Sequence, residues 1–331
     1  MTLSNSQLST ANYQPDMSVV EKIKSAKSTA FSFELLPPLK GNGIETVYRT
    51  IDTLREFDPK YINITTHRSE LVFKENAPGQ FVQVAERHRP GTVAIAAAIQ
   101  NKYKIAVVPH IICSGFTREE TEYALIDLQF LGITDLLLLR GDKAKHERDF
   151  SPTGHRNATE LQEQVNNLNQ GLFLDGSKMK SPIAPFSYGM ACYPEKHEEA
   201  PNLDSDLFYA KQKVDGGAEY LVTQMFFDNQ KYYEFVEKCR AIGITVPIIP
   251  GIKPITLKNQ LTVLPKIFHT DIPEPFATEL RNCKTDADAV EVGIEWCTQQ
   301  ANDLKNHGVP SIHFYSMMAT QSVKRVAKAV F

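Results

Sequence analysis

Residues able to move protons or hold a charged ligand stand at the ends of short apolar runs along this 331-residue chain. The run Leu136–Leu139 stops in Arg140-Gly141-Asp142, which brings a fixed cation, a backbone free to turn and an acceptor-only anion to one spot. Glu34 is a single carboxylate inside Phe-Ser-Phe-Glu-Leu-Leu-Pro-Pro. Desolvation there would raise its pKa, as a general acid working near neutral pH requires. The competing reading is a structural pair with Arg140 or a nearby lysine. His110 and Cys113 form a His-x-x-Cys step. As metal ligands they would need further partners, and no His-x-His pair exists. A hydrogen-bonding histidine and a packed cysteine fit better, and no metal is expected.

Two further runs end in ligand-shaped chemistry. Tyr193-Pro-Glu-Lys-His197 sets an aromatic ring and an imidazole on one loop, suited to a flat heteroaromatic ligand with a phosphate tail or, equally, to a rigid surface turn. Gln224, in Val-Thr-Gln-Met-Phe-Phe-Asp, can donate and accept, as reading a pterin or carboxamide edge requires; a core amide bonded to backbone is the alternative. The charged stretch 143–148 reads as a solvated loop.

The elements that must position these residues follow from the apolar pattern. Strands are expected at 30–36, 61–65, 105–112, 136–139, 187–192, 220–223, 247–250 and 311–315. Between them, helical spacing is expected over 17–27 and 44–57, and in two pieces between a loop at Asn76-Ala77-Pro78-Gly79 and about Asn101. A Thr117/Glu120 capping box opens another helix, which runs to Gly132. Further helices are expected from Ala158, from a cap at Asp204 or Ser205, from a cap at Asp228, up to Phe268, and over 285–307. A long polar loop should span 143–157, and a surface excursion 175–180. Strands alternating with helices predict a single α/β domain, a (β/α)8 TIM barrel over 29–331, preceded by an N-terminal tail and short helix over 1–28. A doubly wound sheet is the alternative, but no Gly-x-Gly-x-x-Gly follows the first strand. In a barrel the active site lies at the C-terminal strand ends, which offer Glu34, Thr65, His110, Arg140 with Asp142, Tyr193, Gln224, and Tyr315 with Met317.

A net charge of -3 and a pI near 6.3 give no reason to expect a nucleic-acid partner. Five scattered cysteines without a Cys-x-x-Cys pair suit a reducing compartment rather than a disulfide framework. No apolar run reaches membrane-spanning length, and the Ser-, Thr- and Asn-rich start lacks the layout of a secretory signal. A cytoplasmic protein that neither binds nor crosses a membrane is the expectation.

With these motifs laid out, the chain resembles the methylenetetrahydrofolate reductase family of FAD-dependent barrels, in its bacterial, catalytic-barrel form. The resemblance covers about 30–315 and rests on Phe-Glu-x-x-Pro-Pro at 33–38, Asn-Ile-Thr at 63–65, Pro-His at 109–110 and Leu-Arg-Gly-Asp at 139–142. It continues through Tyr-Pro-Glu-x-His at 193–197, Thr-Gln-x-Phe-Phe-Asp at 223–228, Ile-Ile-Pro-Gly-Ile at 248–252 and His-Phe-Tyr at 313–315. What the resemblance implies is a reaction in which NADH or NADPH reduces FAD, and reduced FAD converts 5,10-methylenetetrahydrofolate to 5-methyltetrahydrofolate, supplying methyl groups for methionine synthesis. It also implies small-molecule partners only (a folate and a nicotinamide dinucleotide) and a homo-oligomer.

Carried over residue by residue, the resemblance makes Glu34 the general acid that protonates N10 as the imidazolidine ring opens. Asp142 would lie by the flavin pyrimidine edge and the pterin, favouring hydride donation and the cationic iminium at N5. Gln224 would serve pterin and nicotinamide in turn on one flavin face, which implies ping-pong kinetics. Thr65, His110, Arg140, Gly141, Asp142, Ala158, Tyr193, His197, Asp206 and Lys213 match FAD-contact positions, and Leu264 and Met317 match apolar contacts to the nicotinamide cofactor. Four positions depart from the family pattern. Tyr209 and Gln212 stand where Asn and Arg are usual, Asn157 where Tyr is common, and Ala319 where a basic residue is associated with the folate glutamate tail. Two alternatives stay open from the residues: a metal-dependent barrel hydrolase built on His110, and a non-catalytic flavin or folate binder.

Overall fold

Apolar runs bounded by Pro, Gly or charged residues become short strands here. The computed structural model describes residues 17–142, 153–181, 183–317 and 319–331. In chain order the strands are β1 (Ala30–Leu35), β2 (Tyr61–Ile64), β3 (Glu70–Ala77), β4 (Gln80–Glu86), β5 (Ala106–Ile112), β6 (Asp135–Leu139), β7 (Ser187–Cys192), β8 (Tyr220–Thr223), β9 (Ile248–Ile249), β10 (Gly251–Ile252) and β11 (Ser311–Phe314). The helices are α1 (Val19–Ser25), α2 (Glu45–Leu54), α3 (Thr92–Tyr103), α4 (Arg118–Phe130), α5 (Ala158–Asn169), α6 (Leu203–Asp215), α7 (Asn229–Ala241), α8 (Gln260–Phe268), α9 (Glu274–Asn282), α10 (Asp286–Asn306) and α11 (Thr320–Val330).

One parallel sheet runs in the order β10-β11-β1-β2-β5-β6-β7-β8-β9. Its two ends, β9 and β10, flank Pro250, which has no N–H to give a ladder. The Pro250 carbonyl still accepts from His313 N–H at 2.9 Å. The expected seventh strand is therefore one strand broken by a proline, β9 pairing with β8 and β10 with β11, and the sheet comes round into the expected (β/α)8 barrel.

The core has two sides. Outward-facing strand residues such as Phe33, Ile62, Leu136 and Leu138 pack under the helix layer. Inside the barrel, Tyr61, Val108, Leu137, Tyr220, Val222 and Ile249 cluster with Val19, Val20 and Ile23 of α1. Val19 N–H donates to Asp135 Oδ1 at 2.9 Å, at the start of β6, so α1 seats on the floor of the barrel. The short helix assigned to a tail is thus part of the interior packing.

Several local expectations hold in detail. Thr117 and Glu120 form the capping box of α4, and Asp228 caps α7. Others are corrected. Asn202, rather than Asp204 or Ser205, caps α6, its side chain accepting from Ser205 N–H at 2.8 Å. The first piece of the helical material expected between the loop at 76–79 and Asn101 is strand β4, paired antiparallel with β3 before the loop, and only α3 is helical. Most hairpin residues are exposed and none is buried, Phe73 (70%) and Phe81 (65%) among the exposed, so neither face alternates toward a core, and the period-two signal of a buried strand is missing. Helices α9 and α11 lie where no element was expected. Of the expected loop at 143–157, positions 143–152 lie outside the described residues, as do 1–16 of the tail.

Candidate active site

A cavity of about 1240 Å³ opens at the C-terminal ends of the strands. Glu34 from β1, Thr65 after β2 and His110 from β5 line it. Arg140, Gly141 and Asp142 follow β6 into it, and Ala158 enters from the start of α5. Tyr193 and His197 after β7, Asp206 and Lys213 from α6, Gln224 after β8 and Met317 after β11 complete the set. Leu264 does not join them. It is buried in a satellite core with Met225, Phe227, Phe276 and Leu280, while Ile267 and Phe268 of the same helix reach the cavity wall. The expectation of a ligand contact at Leu264 is corrected accordingly, because its side chain is used in packing α8 against the barrel.

Glu34 is 7% exposed, and burial raises its pKa to about 8, with Lys253 acting in the opposite direction. Its Oε2 lies 3.8 Å from His110 Nε2. That contact is not an ion pair. Burial, with His67 adding to it, pushes His110 down to about 3, so at neutral pH a neutral imidazole faces a protonated carboxyl. The separation also exceeds hydrogen-bond length, so this contact does not tie up the carboxyl proton. The Glu34 carbonyl accepts from the Ser316 hydroxyl, fixing the backbone at the strand end.

Beneath the acid lies a polar layer unusual for a barrel interior. Ser32 Oγ and His313 Nδ1 are 3.0 Å apart. His110 Nε2, His313 Nε2 and both amide atoms of Asn63 are buried with no protein hydrogen-bond partner. Such orphaned atoms mark a site built for a ligand or bound water rather than for self-sufficient packing.

The Arg-Gly-Asp corner is held tightly. Gly141 has φ of +77°, and a Cβ there would come within 3.2 Å of the Cβ atoms of Ile112 and Ser114. Ser114 Oγ donates to the Asp142 carbonyl at 2.7 Å, and Arg140 pairs with Glu199. Opposite, the Tyr193 and His197 rings meet edge to face at 4.7 Å. His197 N–H donates to Asp206 Oδ2 at 2.9 Å, and Lys213 Nζ donates to the Ala191 carbonyl at 2.8 Å. Burial holds Lys213 below the usual lysine range, with Asp206 opposing. Gln224 lines the cavity and bonds its own neighbour, its Oε1 accepting from Met225 N–H at 2.9 Å.

Three lining residues, Asn63, His67 and Arg68, were not singled out from the sequence, although Asn63 stood inside a quoted motif. Lys253 was missed as well. Its signal was legible, a lone lysine within Pro-Ile-Ile-Pro-Gly-Ile-Lys-Pro-Ile, the counterpart of Glu34 in its own apolar run. Among the described residues, no group of three or more His, Cys, Asp or Glu side chains could hold a metal ion, and no helix is long and apolar enough to cross a membrane. The arrangement brings an uncharged carboxylic acid, a fixed anion and several cations onto one cavity, a set able to protonate a leaving amine while holding an anionic, aromatic ligand.

Comparison with known proteins agrees with that chemistry. The sequence model of the methylenetetrahydrofolate reductase family matches residues 19–330. Methylenetetrahydrofolate reductase (NADH) 1 of Arabidopsis thaliana is 31% identical over 319 residues, 92% of this chain and 49% of that protein, so the chain spans about half the length of this relative. The 5,10-methylenetetrahydrofolate reductase of Salmonella typhimurium is 28% identical over 287 residues, 86% of this chain and 85% of that protein. Among solved structures, an uncharacterised Clostridium thermocellum protein that binds two copies of 5-methyl-5,6,7,8-tetrahydrofolic acid superposes with a TM-score of 0.54. At 16% identity, over 93% of this chain and 96% of that one, the likeness bears on the fold alone. With the family model running from the barrel-floor helix to the last turn of α11, the chain belongs to the methylenetetrahydrofolate reductase family.

Proposed function

We propose that this chain reduces 5,10-methylenetetrahydrofolate to 5-methyltetrahydrofolate, using FAD in the barrel-mouth cavity and NADH or NADPH as the reductant. The observation that carries the reading is Glu34, a carboxyl kept protonated near neutral pH on the same cavity wall system as Asp142.

The residues present fit a flavin dinucleotide. The cavity has room for one, Arg140 and Lys213 supply cations for a pyrophosphate, and the orphaned Nε2 of His110 and amide of Asn63 offer buried polar atoms to a heteroaromatic ring. Thr65, Gly141, Ala158, Tyr193, His197 and Asp206 would complete its binding surface, with Gly141 a glycine because its backbone turn packs against Ile112 and Ser114. When bound, FAD supplies a two-electron relay between the nicotinamide and the folate.

The chain's own residues supply the rest. Glu34 holds its proton until a basic nitrogen arrives and then delivers it to N10, which lets the imidazolidine C–N bond break. Asp142 sets a negative charge where the pterin acquires a positive one at N5. Gln224 can offer its amide to the pterin edge or to a carboxamide, which suits two substrates taking turns at one place. Met317, 37% exposed at the mouth, provides an apolar contact for the nicotinamide.

The test is spectroscopic. Protein purified or reconstituted with FAD should be yellow. NADH or NADPH should bleach it anaerobically, and methylenetetrahydrofolate should then restore the colour. Protein that gains no flavin absorbance on reconstitution, or that is bleached but never recoloured by the folate, would refute the reading.

A further inference from the structure

Lys253 is 4% exposed, the most buried lysine of the described residues. Strand register puts Ile252, Phe314 and Phe33 in one row across β10, β11 and β1. Lys253, Tyr315 and Glu34 therefore occupy the next row toward the cavity. The ladder continues into that row, since Tyr315 N–H donates to the Ile252 carbonyl at 3.0 Å. No hydrogen bond or ion pair within 4.0 Å reaches the Lys253 ammonium among the described residues. The ammonium therefore has no counter-charge bonded to it, and a negative charge formed nearby in the barrel wall would interact with it more strongly than in water.

We propose that Lys253 is the positioning residue of the acid step: its ammonium stabilises the Glu34 carboxylate that forms when the proton leaves for the substrate nitrogen. The proposal rests on the reading of Glu34 as proton donor. Before transfer, Glu34 is neutral and the lysine unpaired. After transfer, the N–H bond to the leaving nitrogen has formed, the O–H bond has broken, and the opposite charges of Glu34 and Lys253 share one row of a low-dielectric wall, with Tyr315 between them. The interaction is therefore stronger after proton transfer than before it, which is the property that lowers a barrier.

The other groups facing the pair do not supply that charge. His110, across from Glu34, is neutral because burial lowers its pKa to about 3, and His313 is held down in the same way. Tyr315, between the two, is kept protonated by burial, as is the Cys297 thiol facing Lys253 from α10. Burial lowers Lys253, an ionised Glu34 would oppose that, and Lys253 in turn opposes the burial that raises Glu34.

The experiment follows the Glu34 carboxyl carbonyl by infrared difference spectroscopy across pH, assigned by its loss in Glu34→Gln, alongside the two half-reactions. In Lys253→Met the protonated band should persist to higher pH by about one pH unit, the shift expected on removing a nearby opposite charge. The upper pH limit of the folate half-reaction should move with it, and its plateau rate should fall about tenfold, as for a weaker acid. Lys253→Arg should restore the limit, and reduction by the nicotinamide should be unchanged throughout. A Glu34 band that titrates at the same pH in the wild type and Lys253→Met overturns the proposal. If the band shifts but wild-type protein turns over no folate, the pairing stands and the functional reading fails. Should Lys253→Met not fold, the reciprocal measurement decides. The 13C-labelled Lys253 side chain should titrate lower in Glu34→Gln than in the wild type, and equal values overturn the proposal.

Discussion

At the residue scale, the proposed reaction asks opposite tasks of two carboxylates on one cavity. Glu34, sunk in the barrel wall with its pKa near 8, is suited to the proposed role of acid. Asp142 sits on the Arg-Gly-Asp corner, beside a backbone clamped by Ser114. Glu34→Gln keeps the volume and removes the proton. It should leave flavin reduction by the nicotinamide intact while the folate half-reaction falls ~10²-fold or more, the usual worth of a general acid. Stopped-flow absorbance of the two half-reactions checks this, and near-normal recolouring by the folate would remove Glu34 from the acid role. Asp142→Asn takes away an anion that disfavours negative charge on a reduced flavin. The midpoint potential of the bound flavin should therefore rise and folate reduction weaken; a spectroelectrochemical titration giving an unchanged potential would contradict the electrostatic role.

At the scale of elements, the floor of the barrel tests how far the packing extends. Val19, Val20 and Ile23 of α1 are at most 4% exposed and share a cluster with barrel-interior residues. Ile23→Ala should cost ~2–5 kcal/mol, as for other buried aliphatic truncations, measured by urea denaturation. A cost under ~0.5 kcal/mol, typical of surface sites, would mean the helix is a dispensable appendage. The sequence spoke clearly where one element carried one unmixed signal. The eight strand positions were legible because runs such as Leu136–Leu139 are buried on both faces, and the caps at Thr117 and Asp228 because side-chain capping is local chemistry. The β3–β4 hairpin was not, since a projecting ribbon buries neither face and keeps no alternation to read. Its turn was nevertheless marked by Asn76-Ala77-Pro78-Gly79, with Gly79 at φ of +76°. For the site, strand ends were enough to find Glu34, His110 and Asp142. Leu264 shows the limit of that route, because which face of α8 meets the core depends on packing partners distant in sequence.

At the scale of the whole molecule, the buried titratable groups of the barrel interior make stability depend on pH from two sides. Glu34 has a pKa raised from 4.5 to about 8, so between those values the folded chain keeps a proton that the unfolded chain has lost. Stability from this group is fully present below pH 4.5 and is lost as pH rises toward 8. His110 and His313 run the other way. Their pKa values fall from 6.5 to about 3, so below 6.5 the unfolded chain takes up protons that the folded chain refuses, and stability is lost as pH falls. Between 4.5 and 6.5 the two histidines outweigh the single carboxyl, while above 6.5 the carboxyl acts alone. These three groups together place their combined optimum near pH 6.5. Removing the carboxyl should erase only the alkaline decline. The stability of Glu34→Gln relative to the wild type should therefore grow as pH rises from 4.5 to 8 and level off at either end, whatever constant offset the substitution brings. Urea midpoints of both proteins across that range measure it, and parallel profiles would mean that Glu34 ionises in the fold as easily as in water, which would remove the physical basis for an acid stored inside the barrel.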